Sequence, residues 1–155
     1  MVRIKIYLDV CCLCRPFDDQ TIHRIRIETE AITEILKRCV TDCELVGSEV
    51  IESEIFEISD EERRENVESV LKFAKSRVEI DDEVETRARE YHRYGLDPLD
   101  ALHCACAKKA GAIFMTTDDT LIKSIKKHKD KITIEVHNPV NWLMEVTMDG
   151  SKNIK

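Results

Sequence analysis

Short apolar runs alternate with amphipathic stretches along the chain. Runs at 3–8, 44–47, 78–80, 112–115 and 132–136 are rich in Ile, Val, Leu and Phe, which predicts five strands. Between them, apolar residues recur at helical spacing, as in Ile25, Ile32, Ile35 and Leu36, or Val67, Val70, Leu71 and Ala74. Helices are therefore expected over about 22–38, 49–57, 60–75, 82–93, 98–110 and 119–128. Strands alternating with helices form βαβ units. The pattern thus predicts an α/β domain, with a central parallel sheet of four to five strands between helical layers. One domain is expected over 1–148, with a frayed tail over 149–155, where Asp, Gly, Ser, Lys and Asn follow one another.

Composition narrows the class. A chain of 155 residues with 43% apolar side chains can build a core, so intrinsic disorder is excluded. No stretch approaches the ~18 consecutive apolar residues of a membrane helix. The opening Met1-Val2-Arg3-Ile4-Lys5-Ile6 alternates as a strand does, unlike a secretory leader. Seven cysteines at 11, 12, 14, 39, 43, 104 and 106 are odd in number and clustered, which reads as reduced thiols in a cytoplasm. The formal charge is −7, which excludes coating nucleic acid over the whole surface. The charge is uneven, however. Residues 1–27 hold five basic and three acidic groups, and residues 101–131 hold seven and three.

The chemistry lies in where the acids fall. In a parallel α/β sheet, ligands bind beyond the carboxyl ends of the strands. Asp9 follows the first apolar strand directly, and Asp118 follows the strand ending at Met115. A crossover helix runs antiparallel to its strands, so its first turn also lies at that edge. Asp100 falls in the first turn of a helix opened by Asp97-Pro98, with Pro at the first helical position. Glu54 lies within two turns of the strand ending near Gly47. Each acid alone is explained as a helix cap or a partner of the helix dipole. Together, four carboxylates at one rim repel one another unless a cation neutralises them. An all-carboxylate set selects a hard ion, Mg²⁺ or Mn²⁺. Such an ion orients a phosphodiester and acidifies a bound water. Asp119, Asp97, Glu49 and Glu52 are neighbours that compete for the same roles.

Four motifs resemble the PIN-domain family, many of whose members are VapC-type ribonuclease toxins of toxin–antitoxin pairs. They are Tyr7-Leu8-Asp9 with Leu13, Ser48 followed by Glu54-Ile55, Asp100-Ala101-Leu102-His103-Cys104-Ala105, and Ala112-Ile113-Phe114-Met115-Thr116-Thr117-Asp118. The resemblance covers nearly the whole chain. It implies a metal-dependent endoribonuclease acting on single-stranded RNA, with Asp9, Glu54, Asp100 and Asp118 holding Mg²⁺ or Mn²⁺. It also implies an antitoxin partner and a homodimer joined through helix faces. Arg15, Arg24 and Lys123 sit on segments tethered to the rim and are candidate contacts for RNA phosphates.

The chain departs from the family at one place. Val10-Cys11-Cys12 stands where a Thr or Ser commonly follows the first Asp, so a thiol replaces a hydroxyl. That departure motivates a rival, a non-catalytic PIN-like module that binds RNA or protein. A second rival rests on the Cys-x-x-Cys spacing of Cys11 and Cys14, as in thiol-redox proteins. His103, one turn after Asp100, reads as a helix-packing residue.

Overall fold

The computed structural model describes residues 3–153, with side chains over 3–147. Five strands form one sheet: β1 (Ile4–Leu8), β2 (Cys43–Ser48), β3 (Ser76–Val78), β4 (Ile113–Met115) and β5 (Val136–His137). Their order across the sheet is β3-β2-β1-β4-β5, and every pairing is parallel. Among the described residues, eight helices accompany them: α1 (Val10–Cys14), α2 (His23–Arg38), α3 (Glu49–Phe56), α4 (Glu61–Leu71), α5 (Asp82–Arg93), α6 (Pro98–Ala110), α7 (Asp119–Lys127) and α8 (Pro139–Asn153). A 3₁₀ turn over Arg15–Phe17 links α1 to α2.

Consecutive residues of a strand face opposite sides of the sheet. Ile6, Tyr7 and Leu8 on the central strand are all fully buried, so both faces of the sheet are covered. The single α/β domain with helices on either side of a parallel sheet is therefore as the sequence predicts. Helix α2 packs on α8, and α5 on α6. Helix α6 starts at Pro98 and ends at Gly111, whose left-handed conformation (φ 66°) supplies the amide that closes the last turn.

Two elements were not expected. Helix α8 fills the stretch after β5 and buries Trp142, and α1 is a single five-residue helix capped by Asp9. Strand β3 lies two residues earlier than its predicted span, and β5 is shifted to the end of its own. The tail expected over 149–155 enters α8 as far as Asn153, while Ile154 and Lys155, like Met1 and Val2, lie outside the described residues.

The strand order fixes the position of any site. From β1 the chain moves outward through β2 to β3, then returns to the far side of β1 as β4. The topological switch point thus lies between β1 and β4, where a doubly wound sheet opens its crevice.

Candidate metal centre

Asp9 leaves β1 at this switch point. Its amide extends the ladder by one bond, donating to Met115 O of β4 at 2.9 Å. Its carboxylate caps α1, accepting from the Val10 amide (2.8 Å), and its second oxygen accepts from the Thr116 hydroxyl (2.9 Å). Asp118 leaves β4 at the same edge and caps α7 by accepting from the Leu121 amide (3.1 Å). Both acids are helix caps, as each would be in isolation, and both also stand at the crevice.

Glu54 reaches the same place from α3. Oxygen atoms of Asp9 and Glu54 and a ring nitrogen of His103 all lie within 4.8 Å of one another. The competing acids of that helix are engaged elsewhere. Glu52 pairs with Arg77 through 2.6 and 2.9 Å bonds, and Glu49 accepts from the Ile80 amide. Asp100, in the first turn of α6, is half-buried and its carboxyl is pushed up to about 6. Loss of water is the main cause, and the charges of Asp9, Asp97 and Asp118 add to it. Asp119 turns outward onto Arg24, which meets both its oxygens at 2.9 and 3.1 Å. Of the four acids singled out from the sequence, Asp9 and Glu54 meet, Asp100 stands near enough to feel the charges of Asp9 and Asp118, and three of their competitors pair off elsewhere.

The donor set fits a hard divalent cation. It is made of carboxylate oxygens, no Lys or Arg is paired with Asp9, Glu54 or Asp100 among the described residues, and their mutual repulsion is the electrostatic condition that a cation relieves. A ring nitrogen of His103 stands beside these oxygens.

The basic residues near the rim have definite partners. Arg15 donates to Glu28 (2.8 Å), Asp18 (3.0 Å) and the Thr117 hydroxyl (3.2 Å). Arg24 donates to Glu28 (3.1 Å), to Asp119 and to Thr117 O (3.0 Å). Lys123 lies on α7 and lines a cleft of about 530 Å³ with Lys126, His137, Asn138 and Asn141. Of the three candidate phosphate contacts, Arg15 and Arg24 thus serve as struts of the rim, and Lys123 faces open space.

Three residues gain roles that the sequence did not assign. Glu28, buried on α2, gathers Arg15, Arg24 and the Asn138 side-chain amide (3.0 Å). Thr116 presents to Asp9 the hydroxyl that is missing after it. The signal was a Thr two residues before Asp118 at a strand end. His103 bonds Glu54 rather than merely packing in its helix.

Cys11 takes the position of the missing hydroxyl. Its sulfur contacts Asp9, Thr116 and the Thr117 amide, each at 3.5 Å. The Cys12 thiol, with help from Thr116 and Thr117, draws the Cys11 thiol below its ordinary range. Cys14 is held up by burial and faces Arg63 and Asp18. All seven cysteines are free thiols.

The sequence matches a known family profile, and the fold matches solved structures. The PIN domain profile matches residues 6–127. No curated protein matches the chain. Among solved structures, FitAcB from Neisseria gonorrhoeae aligns over 86% of this chain and 97% of its own, with a TM-score of 0.58 and 17% identity. FitAB bound to an IR36 DNA fragment gives 87%, 95%, 0.57 and 18%. VapBC2 from Rickettsia felis, bound to a DNA fragment from its promoter, gives 87%, 98%, 0.60 and 12%. These likenesses are of fold. With the profile spanning β1 to α7, and with the acidic rim at the β1–β4 crevice, the chain belongs to the PIN-domain family.

Proposed function

We propose that the protein is a metal-dependent endoribonuclease that hydrolyses phosphodiester bonds of single-stranded RNA. The observation that carries this reading is the meeting of Asp9 and Glu54 at the switch point of a PIN-domain sheet, with the charge of Asp9 acting on Asp100 and no Arg or Lys paired with any of the three among the described residues. Asp9 and Asp100 would hold Mg²⁺ or Mn²⁺, with Glu54 and Asp118 completing the acidic shell. Such an ion, when bound, supplies charge to the scissile phosphate and to its leaving oxygen and lowers the pKa of a water. The protein's own part is positional. Thr116 and the Val10 amide fix Asp9, the Leu121 amide fixes Asp118, and His103 fixes Glu54. Lys123 and Lys126, on the helix that Asp118 caps, line a cleft and would meet RNA phosphates.

The proposal extends to partners and setting. The neighbouring folds occur in FitAB and VapBC complexes, which supports an antitoxin-like protein partner and a place in a toxin–antitoxin pair. A homodimer joined through helix faces belongs to the same reading, as the resemblance to the family implies. Seven free thiols support a reducing cytoplasm, and no helix among the described residues is long and apolar enough to cross a membrane.

The deciding experiment is cleavage of a labelled single-stranded RNA by the purified protein with Mn²⁺ or Mg²⁺, with and without chelator. Cleavage that chelator abolishes and added Mn²⁺ restores is the expected result. Cleavage indifferent to chelator overturns the metal-dependent reading. Mn²⁺ and RNA binding without cleavage would select the non-catalytic module, for which the thiol beside Asp9 is the favouring observation.

A further inference from the structure

Behind Glu54 lies a line of buried polar side chains from three separate elements. The Ile51 amide donates to Ser48 Oγ at 3.0 Å. Ser48 Oγ lies 2.7 Å from Tyr7 Oη, and Tyr7 Oη lies 2.7 Å from His103 Nδ1. His103 Nε2 is in contact with Glu54 Oε1. Ser48, Tyr7 and His103 are at most 1% exposed, so water cannot substitute for any missing bond. The edge of the His103 ring also meets Tyr7 at a centroid distance of 5.7 Å, which fixes the imidazole plane.

The sense of the protons in this line follows from the Glu54 end, on the reading that Glu54 is the carboxylate of a metal ligand. The Ile51 amide can only donate. An ionised Glu54 can only accept, and two bare acceptors in direct contact would repel, so the proton between them belongs to Nε2. A neutral imidazole then has a bare Nδ1, which takes the Tyr7 hydroxyl proton. Tyr7 Oη in turn takes the Ser48 hydroxyl proton. Each donor and acceptor is used once, and no member of the line is left unsatisfied. Tyr7 stays a phenol throughout, because burial pushes its pKa well above the ordinary value. Nε2 is also 3.9 Å from Asp9, beyond hydrogen-bond reach, so the ring is aimed at one carboxylate rather than shared between two.

We propose that His103 is a positioning residue, held as the Nε2–H tautomer by Tyr7 and Ser48, that clamps one oxygen of Glu54 and leaves the other for the metal shell. This inference rests on the metal-centre reading above. The Glu54 side chain has no other hydrogen-bond partner among the described residues, so the clamp is what separates it from an ordinary mobile helix Glu. Partners of this kind around a metal ligand typically govern affinity by about 10- to 100-fold.

Two measurements test it. In the metal-free, ¹⁵N-labelled protein, ring nitrogen shifts report the tautomer of His103 directly, and Nε2–H is expected. An Nδ1–H tautomer overturns the proposal, since it reverses the line and turns Nε2 into a potential nitrogen ligand. Titration calorimetry with Mn²⁺ supplies the second readout. His103→Leu, which has no donor, is expected to bind Mn²⁺ about 10- to 100-fold more weakly. His103→Gln, whose side-chain amide can still donate to Glu54, is expected to recover most of that loss. Wild-type affinity in His103→Leu overturns the clamp, and so does a His103→Gln variant as weak as the Leu variant. If the unaltered protein binds no Mn²⁺, the nuclease reading fails. The tautomer then still decides the clamp, and it needs no variant to fold.

Discussion

Two groups of carboxylates stand side by side at the same sheet edge, and they are treated oppositely. Glu28 is only 2% exposed and is surrounded by donors: the Arg15 and Arg24 guanidinium groups and the Asn138 amide. Asp9, Glu54 and Asp100 have no Arg or Lys partner among the described residues, and Asp100 is pushed up to about 6 by lost water and neighbouring charge. The first group stabilises the fold because its charge is compensated within the chain. The second carries a standing electrostatic cost, which is what a site reserved for an external cation should show. The arginines nearest the rim do not neutralise it, because Glu28, Asp18 and Asp119 hold them in place.

The contrast breaks most visibly at Asp9. Asp9→Asn keeps one oxygen to accept from the Val10 amide, so α1 should stay capped, and its NH2 can donate to the Thr116 hydroxyl oxygen where the second carboxylate oxygen had accepted. It removes one of the negative charges at the crevice. We expect metal-dependent RNA cleavage to fall by about 100-fold or more, the size set by several kcal/mol of charge stabilisation, with little change in melting temperature. Unchanged cleavage would remove Asp9 from the site.

Glu28→Gln attacks the compensated group instead. It leaves two guanidinium groups facing a neutral amide, and breaking one side of a buried pair costs about 3–5 kcal/mol. Arg24 is half-exposed and can turn to water, so a loss of about 2–3 kcal/mol is expected, seen as a melting point several degrees lower. Mn²⁺ affinity measured well below the melting point should hold.

Asp100→Asn is predicted to stabilise the metal-free protein while abolishing its use of metal. The Asp100 carboxyl titrates near 6 in the fold and near 4 in the unfolded chain, so the folded state holds its proton more tightly. Stability from this group is therefore greatest below about pH 4, falls as the pH rises to about 6, and stays low above that. The full linkage value is about 3 kcal/mol, and solvent screening of a half-buried group reduces it to about 1–2 kcal/mol. Denaturant melts at pH 4.5 and pH 8 should show that difference in the wild-type protein and not in Asp100→Asn. Saturating Mn²⁺ at pH 8 should restore the lost stability in the wild type alone.

The legibility of these groups in the sequence follows the range of the interactions that define them. Asp9 and Asp118 could be placed because a strand end and a helix start are local features, and parallel topology sends both to one rim. Glu28 could not be placed, because two of its three partners stand 13 and 110 positions away. His103 resembles any helix-packing His until Glu54 arrives from 49 positions upstream. Among the elements, α1 is too short for a period to show. Helix α8 was hidden because its burial depends on α2, more than a hundred residues earlier, and because Asp149-Gly150 suggests a chain end.

The smallest expected effect separates two adjacent acids that the sequence left equivalent. Asp118 caps α7 through the Leu121 amide and contributes to the charge felt by Asp100. Asp119 is exposed and meets Arg24 at the surface, where ion pairs of this kind often contribute nothing measurable. Asp119→Asn should therefore leave the melting temperature, Mn²⁺ affinity and cleavage unchanged. Asp118→Asn keeps the cap, since Asn and Asp cap helices about equally well, so any loss it causes is a loss of charge at the rim. A weaker Mn²⁺ titration for Asp118→Asn alone places the fourth carboxylate at Asp118. Equal titrations for the two variants would leave the centre with three acids, Asp9, Glu54 and Asp100, and would make α7 a flank of the crevice rather than part of it.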